Sequence, residues 1–418
     1  MTLAGKPSDK RLFASTQSLL EIFVFFSVFP AIKIFGITIT FFIFILIIVK
    51  FIRRKKKIFR IQRYTVLLLL LFVFFVFMSW VLQEDTVRQS NDVLHIKLMI
   101  QYVYWVVLAL FIKTWIYNYD FYRISRAFLV GSATAAVYYI LLNSFHLVYY
   151  PNSFAYTLVT ALPVGYYYAF RRFSMPVLLL ISFGFLMSML LSGSRTGTAL
   201  LMLEIFLLFM LGGKIRKKVF FVLMVALTPL LSIYVMTIDD YQIKKAKYAI
   251  ADVVEDYSPK IAHTLRLEEN VLERDKSLLI RKLMLQKGEK IFEQHPFFGV
   301  GPGNFTYYFV PLDIAEVSHW LRGTEGKYNR TSSQNSYIMI LTENGIFALI
   351  SILIVFFYIL YRGFPYLLRF RDNAEMYIYI PFLSLMFYGV ILVTTLGTLF
   401  WLFLGLALTL IQRHRRLT

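Results

Sequence analysis

Apolar runs, each about as long as a bilayer crossing, follow one another along most of this chain. A helix needs about 20 mostly apolar residues to cross, and that rule marks spans near 13–32, 34–52, 65–82, 99–117, 127–145, 153–170, 174–192, 198–213, 219–236, 336–361, 376–394 and 396–411. The expected fold is an all-α polytopic membrane protein of about 12 spans, the first two separated by little more than Pro30 and Lys33. Of the 418 residues, 58% are hydrophobic and 18% aromatic, and the mean hydropathy is +0.64, values that exclude an ordinary soluble domain. The expected division is 1–236 with nine spans, 237–335 as one long polar loop, and 336–418 with three spans. No internal repeat, heptad run or low-complexity tract is visible.

Basic clusters set the orientation. Arg53, Arg54, Lys55, Lys56, Lys57, Arg60 and Arg63 form the densest. Placing it in the cytoplasm also puts there Arg123/Arg126, Arg171/Arg172, Lys214/Arg216/Lys217/Lys218, Arg362/Arg369/Arg371 and Arg413/Arg415/Arg416. Both termini are then cytoplasmic, and the loops 83–98, 146–152 and 237–335 lie outside with the Ser192-Gly193-Ser194-Arg195 turn. The net charge of +20 is thus explained by topology, and no nucleic-acid partner is expected. The absence of cysteine removes disulfides, thiolate metal sites and a cysteine nucleophile. Lys6, Lys10 and Arg11 precede the first apolar run without a small-residue cleavage site after it, so no removable signal peptide is expected.

The long loop carries acids and bases in near balance and two expected helices, near 242–255 and 276–294, the second ending before Pro296. In the second, Leu278, Leu279, Leu283, Ile291 and Phe292 recur at helical spacing, the pattern of an amphipathic helix lying on the membrane domain. Residues 291–345 hold the remaining polar detail and are the expected location of a solvent-accessible active site.

Within this frame, Arg195 stands on the face opposite most of the positive charge, between two spans, where a guanidinium pairs, snorkels or binds an anion. Neighbouring glycines and the hydroxyls of Ser192, Ser194 and Thr196 suit the turn to a phosphate; the alternative is an Arg anchored at the lipid interface. Arg281 lies on the outer amphipathic helix and is the better residue there for bidentate phosphate contact, with Lys282, Lys287 and Lys290 expected to be solvated. Gly299-Val300-Gly301-Pro302-Gly303 is neither a P-loop nor a dinucleotide fingerprint, lacking the following Gly-Lys-Ser/Thr and any βαβ context. It reads as a turn, either without ligand or bringing Arg281 and loop backbone toward the membrane mouth. Glu21, Glu204 and Glu343 are acids within apolar spans, functional candidates that read equally well as structural hydrogen bonders. His263, His295 and His319 form no metal-binding pair, and neither metal nor cofactor is expected.

The order Ser-Gly-Ser-Arg-Thr-Gly, then an Arg-bearing helix leading to His-Pro-Phe-Phe-Gly-Val-Gly-Pro-Gly-Asn-Phe, then Asn-Ser-Tyr with Glu-Asn-Gly beyond it, resembles the bacterial O-antigen ligase and polymerase superfamily. The resemblance covers about 190–350 in detail and the whole chain in topology. It implies a metal-independent, multi-span glycosyltransferase of the bacterial inner membrane whose site faces the periplasm and takes a glycan from undecaprenyl diphosphate. Ligases pass the glycan to lipid A core; polymerases pass it to another carrier-linked repeat unit, and a chain-length regulator is a possible partner beside membrane lipid. By resemblance, Arg195 and Arg281 grip the donor diphosphate. The catalytic set is then Arg195, Arg281, Gln334 and Glu343, with Ser194, Thr196, Gly301, Asn304, Asn335, Tyr337 and Arg322 contacting substrate.

One departure bears on the reaction. Ligases commonly carry His-Asn, nine residues, then Gly, whereas this chain has Gln334-Asn335, nine residues, then Gly345. A glutamine orients a hydroxyl but takes no proton at neutral pH. The substitution tilts the expectation toward polymerase over ligase, with Glu343 or His319 as fallback base or with reliance on leaving-group stabilisation. A lipid-linked oligosaccharide flippase is a third reading, disfavoured because repeats and helices broken in corresponding halves are not evident in the sequence.

Overall fold

A computed structural model of the protein describes residues 7–29, 33–34, 37–52, 63–83, 92–115, 120–144, 151–191, 276–312, 335–369, 376–390 and 398–414, with isolated positions between 194 and 208 and at 259 and 333. The expected span at 219–236, much of that at 198–213 and the outer helix near 242–255 lie outside the described residues.

The described helices are α1 (Pro7–Val28), α2 (Ile39–Ile52), α3 (Arg63–Val81), α4 (Asp92–Trp115), α5 (Phe121–Ser144), α6 (Pro151–Arg172), α7 (Met175–Leu191), α8 (Lys276–Gln294), α9 (Ser336–Arg369), α10 (Met376–Tyr388) and α11 (Thr398–His414). The all-helical expectation holds except for a two-rung antiparallel ribbon between α1 and α2, where Lys33 pairs with Thr38 and Ile34 with Ile37. Among the described residues, three stretches are long and apolar enough to cross a membrane, Tyr64–Val81, Phe121–Leu141 and Ser336–Pro365. The first predicted pair is realised as α1, 22 residues long, and α2, 14 residues long, joined through the ribbon.

The chain forms two compact units, one of residues 1–74, 99–226 and 350–418 and the other of 75–98 and 227–349. In the first, α5 packs along α6 and α1, and α6 also packs on α10. Lipid is as apolar as leucine, so helices in a membrane associate through close backbone approach at small residues and through interhelical hydrogen bonds. Both devices are present. A Cβ on Gly165 would lie 2.9 Å from Leu129 Cα, and one on Gly131 2.9 Å from Val28 Cβ. The Ser125 hydroxyl donates to Val164 C=O and accepts from Tyr168 N–H, joining α5 to groups four residues apart on α6. Trp105 and Trp401 stack nearly parallel at 6.4 Å, with Phe72 and Tyr102 beside them, filling the interior with rigid rings.

Glu21 is resolved by its partners. Its carboxylate lies 2.7 Å from Arg123 Nε and 2.6 Å from Arg126 Nη2, so this acid of the first apolar run joins α1 to α5. Glu204 is fully buried and faces Ser384 of α10. Along α9, Ile350, Ile354, Phe357, Tyr361 and Phe364 form one exposed apolar stripe at alternating three- and four-residue spacing.

Gly165→Val should force α5 and α6 apart and destabilise the protein by about 1–3 kcal/mol, read as a lowered apparent melting midpoint in detergent.

Candidate functional site

The second unit is organised by an interruption in α9. Gly345 has φ 79 and ψ 176, so the helix that begins at Ser336 breaks there and resumes. A break in a buried stretch exposes backbone groups that cost several kcal/mol each if left unsatisfied. Here the loop after α8 pairs them. Val300 N–H donates to Thr342 C=O and Gly301 N–H to Glu343 C=O, each at 2.9 Å, while Ile346 N–H donates to Pro296 C=O at 3.0 Å. The Ser79 hydroxyl near the end of α3 donates a further bond to Glu343 C=O.

Only glycine serves at the tightest points. A Cβ on Gly345 would stand 2.0 Å from Phe297 O, and one on Gly299, also left-handed at φ 67, would stand 2.5 Å from Thr342 O. The segment beyond the break, 346–365, is about 20 residues or ~30 Å long, enough to cross by itself. The span expected from 336 is present and is interrupted at Gly345.

Side chains complete the closure. Asn304, fully buried, donates through Nδ2 to Val300 C=O at 2.7 Å and to Gln83 Oε1 at 3.1 Å. The Glu343 carboxylate, 5% exposed, accepts from Phe305 N–H at 3.2 Å and from Gly303 N–H. The glycine-rich turn therefore converges amides on an acidic group, and that group is the protein's own Glu343 carboxyl. Leu283, Met284 and Ile291 of α8 form one core with Val300, Phe305, Val310 and Leu312 of the loop. Gly288 lets α8 approach α9, since a Cβ there would be 2.5 Å from Ile338 Cγ2.

Of the lysines expected in solvent, Lys290 makes an exposed contact and Lys287 is buried. Lys290 Nζ donates to Pro311 C=O. Lys287 is fully buried, its Nζ 4.7 Å from the centre of the Phe305 ring and within electrostatic reach of Glu343. Burial pushes this ammonium down to about 8, and the Glu343 carboxylate opposes the shift. The signal was present in sequence: 287 lies midway between Leu283 and Ile291 at four-residue spacing, on the apolar face. Lys282 is exposed, as its position on the opposite face dictates.

Of the residues singled out in sequence, Gly301, Asn304 and Glu343 come together at the break. Asn335 caps α9, its Oδ1 accepting from Tyr337 N–H at 2.9 Å and Ile338 N–H at 3.0 Å, and Tyr337 is half-buried in the first turn. Arg281 is half-buried on α8, with its Nε buried. His295 bonds the Tyr308 hydroxyl at 2.7 Å and so ties the loop to the end of α8. In the first unit Ser194 is buried and caps a helical turn, its Oγ accepting from Gly197 N–H at 3.3 Å. Arg195, Thr196, Arg322, Gln334, His263 and His319 lie outside the described residues.

Residues 177–353 match the model of a known family, described as O-antigen ligase. The matched segment covers less than half of the chain and is similar to the O-antigen ligase family. The O-antigen ligase match contains the Ser194 turn, α8, the glycine-rich loop and the broken start of α9, and it ends eight residues past Gly345. The superfamily comprises membrane glycosyltransferases of the ligase and polymerase type, in keeping with the apolar helices of this chain. No curated protein matches the chain.

Gly345→Ala should prevent the loop from docking and leave little folded protein, seen as loss of a monodisperse peak in size-exclusion chromatography. For Lys287 the sign follows from its lowered folded value: the cost of burying the charge is constant below about pH 8 and relieved as pH rises toward the ordinary 10.5. The apparent melting midpoint of wild type should therefore rise relative to Lys287→Met between pH 8 and 10.5 and run parallel to it below pH 8.

Proposed function

We propose that this protein is a surface-polysaccharide polymerase of the bacterial inner membrane, transferring a glycan from undecaprenyl diphosphate to another carrier-linked repeat unit at the periplasmic face. The observation that carries this reading is the O-antigen ligase match, which encloses both the Ser194 turn bearing Arg195 and the helix bearing Arg281. In the reaction the bond from the anomeric carbon to the diphosphate breaks and a bond to the acceptor hydroxyl forms, while the hydroxyl proton is released. Negative charge grows on the departing diphosphate, and Arg195 and Arg281 stabilise it without a metal.

Gln334 orients the acceptor hydroxyl, and Asn335, Tyr337, Thr196 and Arg322 are the further substrate contacts of this reading. Amides of Gly303 and Phe305 engage the Glu343 carboxylate, which favours a mechanism driven by leaving-group stabilisation over one with Glu343 as base. In this reading the chain crosses the membrane about 12 times with both termini cytoplasmic, in the order 1–236, outer loop 237–335 and 336–418. A second reading, ligation of the glycan to lipid A core, fits the same match.

In a strain lacking the gene, a polymerase defect should leave core bearing a single repeat unit on gels, whereas a ligase defect should leave bare core while long carrier-linked polymer accumulates. Arg195→Ala and Arg281→Ala should each lower transfer by about 100-fold or more in that strain. Full activity in both variants would remove the diphosphate role.

A further inference from the structure

Position 287 is the centre of the buried face of α8, where Leu283, Met284 and Ile291 set an apolar stripe. Leucine there would continue the stripe without removing a charge from water, so packing economy does not account for lysine. What lysine adds is direction. Apolar faces tolerate sliding and rotation, whereas a buried charge requires one arrangement of its partners. The partners of Lys287 are themselves fixed: the Phe305 ring belongs to the loop that closes the break, and Glu343 is held by the amides of Gly303 and Phe305. Next to Lys287, Gly288 brings the α8 backbone against Ile338, so rotation and depth of the helix are both set at this point.

We propose that Lys287 is a positioning residue: buried against Phe305 and drawn to Glu343, it fixes α8 so that Arg281, six residues earlier, is presented to the diphosphate of the lipid carrier. This rests on the reading of Arg281 given under Proposed function. A helix rotation of roughly 20° moves a guanidinium about 6 Å from the axis through about 2 Å. That is several times the ~0.5 Å within which a working site must be held.

The test measures binding of undecaprenyl diphosphate to the full-length protein in nanodiscs, using the monodisperse folded fraction so that altered stability alone does not move the result. Arg281→Ala and Lys287→Met are each expected to weaken binding by about tenfold or more, and the double variant no further than Arg281→Ala alone. Where Lys287→Met yields no folded protein, Lys287→Met/Glu343→Gln, which leaves no lone buried charge, takes its place with the same expected loss. Wild-type affinity in the Lys287 variant beside a loss in Arg281→Ala would overturn the inference and leave the functional reading intact. Additive losses would also overturn it, since Lys287 would then act independently of Arg281. Wild-type affinity in Arg281→Ala would overturn the functional reading, and this inference with it.

Discussion

Backbone hydrogen bonding across an interrupted helix is the constraint on which the second unit depends. Gly345 stops α9 two and a half turns after its cap, and the residues around the break are buried, so the groups freed there need protein partners. Residues 296–301 meet that demand: Pro296 supplies an acceptor, Val300 and Gly301 supply donors, and Ser79 adds a hydroxyl. The glycine-rich sequence is shaped by this docking. Left-handed backbone at Gly299, Gly301 and Gly303 turns successive amides first onto α9 carbonyls and then onto a carboxylate.

Charge burial follows from that arrangement. Glu343 sits where loop amides converge, as a phosphate does at many glycine-rich turns, and its burial would be costly without those donors. Lys287 provides a counter-charge from a third element, so helix, loop and broken span meet at one electrostatic point. The same loop is tethered at its ends by His295 with Tyr308 and by Lys290 with Pro311. A segment rich in glycine is thereby held at both ends and in the middle.

Much of this was legible in the sequence for identifiable reasons. Apolar run length gives helices directly, and the 276–294 helix was marked by its periodicity and by the proline that follows it. The prominence of Gly301, Asn304 and Glu343 was legible as well, because polar and glycine residues are conspicuous in such a chain. Their mutual contact was not, since an apolar run around Glu343-Asn344-Gly345 gives no sign that the helix breaks there until a loop carbonyl is found where a Cβ would be. Lys287 departs from expectation for a related reason: its position on the helix face outweighs its residue type. Glu21 looked like Glu343 in sequence, and only the spatial approach of Arg123 and Arg126 separates an interhelical ion pair from an acid enclosed by backbone amides.

The nine residues between the Asn335 cap and the Gly345 break act as a gauge block. Adding or removing one would turn everything downstream of the edit by about 100° around the axis, directing the Glu343 carboxylate away from the Gly303 and Phe305 amides. Exchanges of side chain within this interval face ordinary packing limits, but a change in its length faces a geometric prohibition. The stretch is therefore open to point substitution and closed to insertion or deletion.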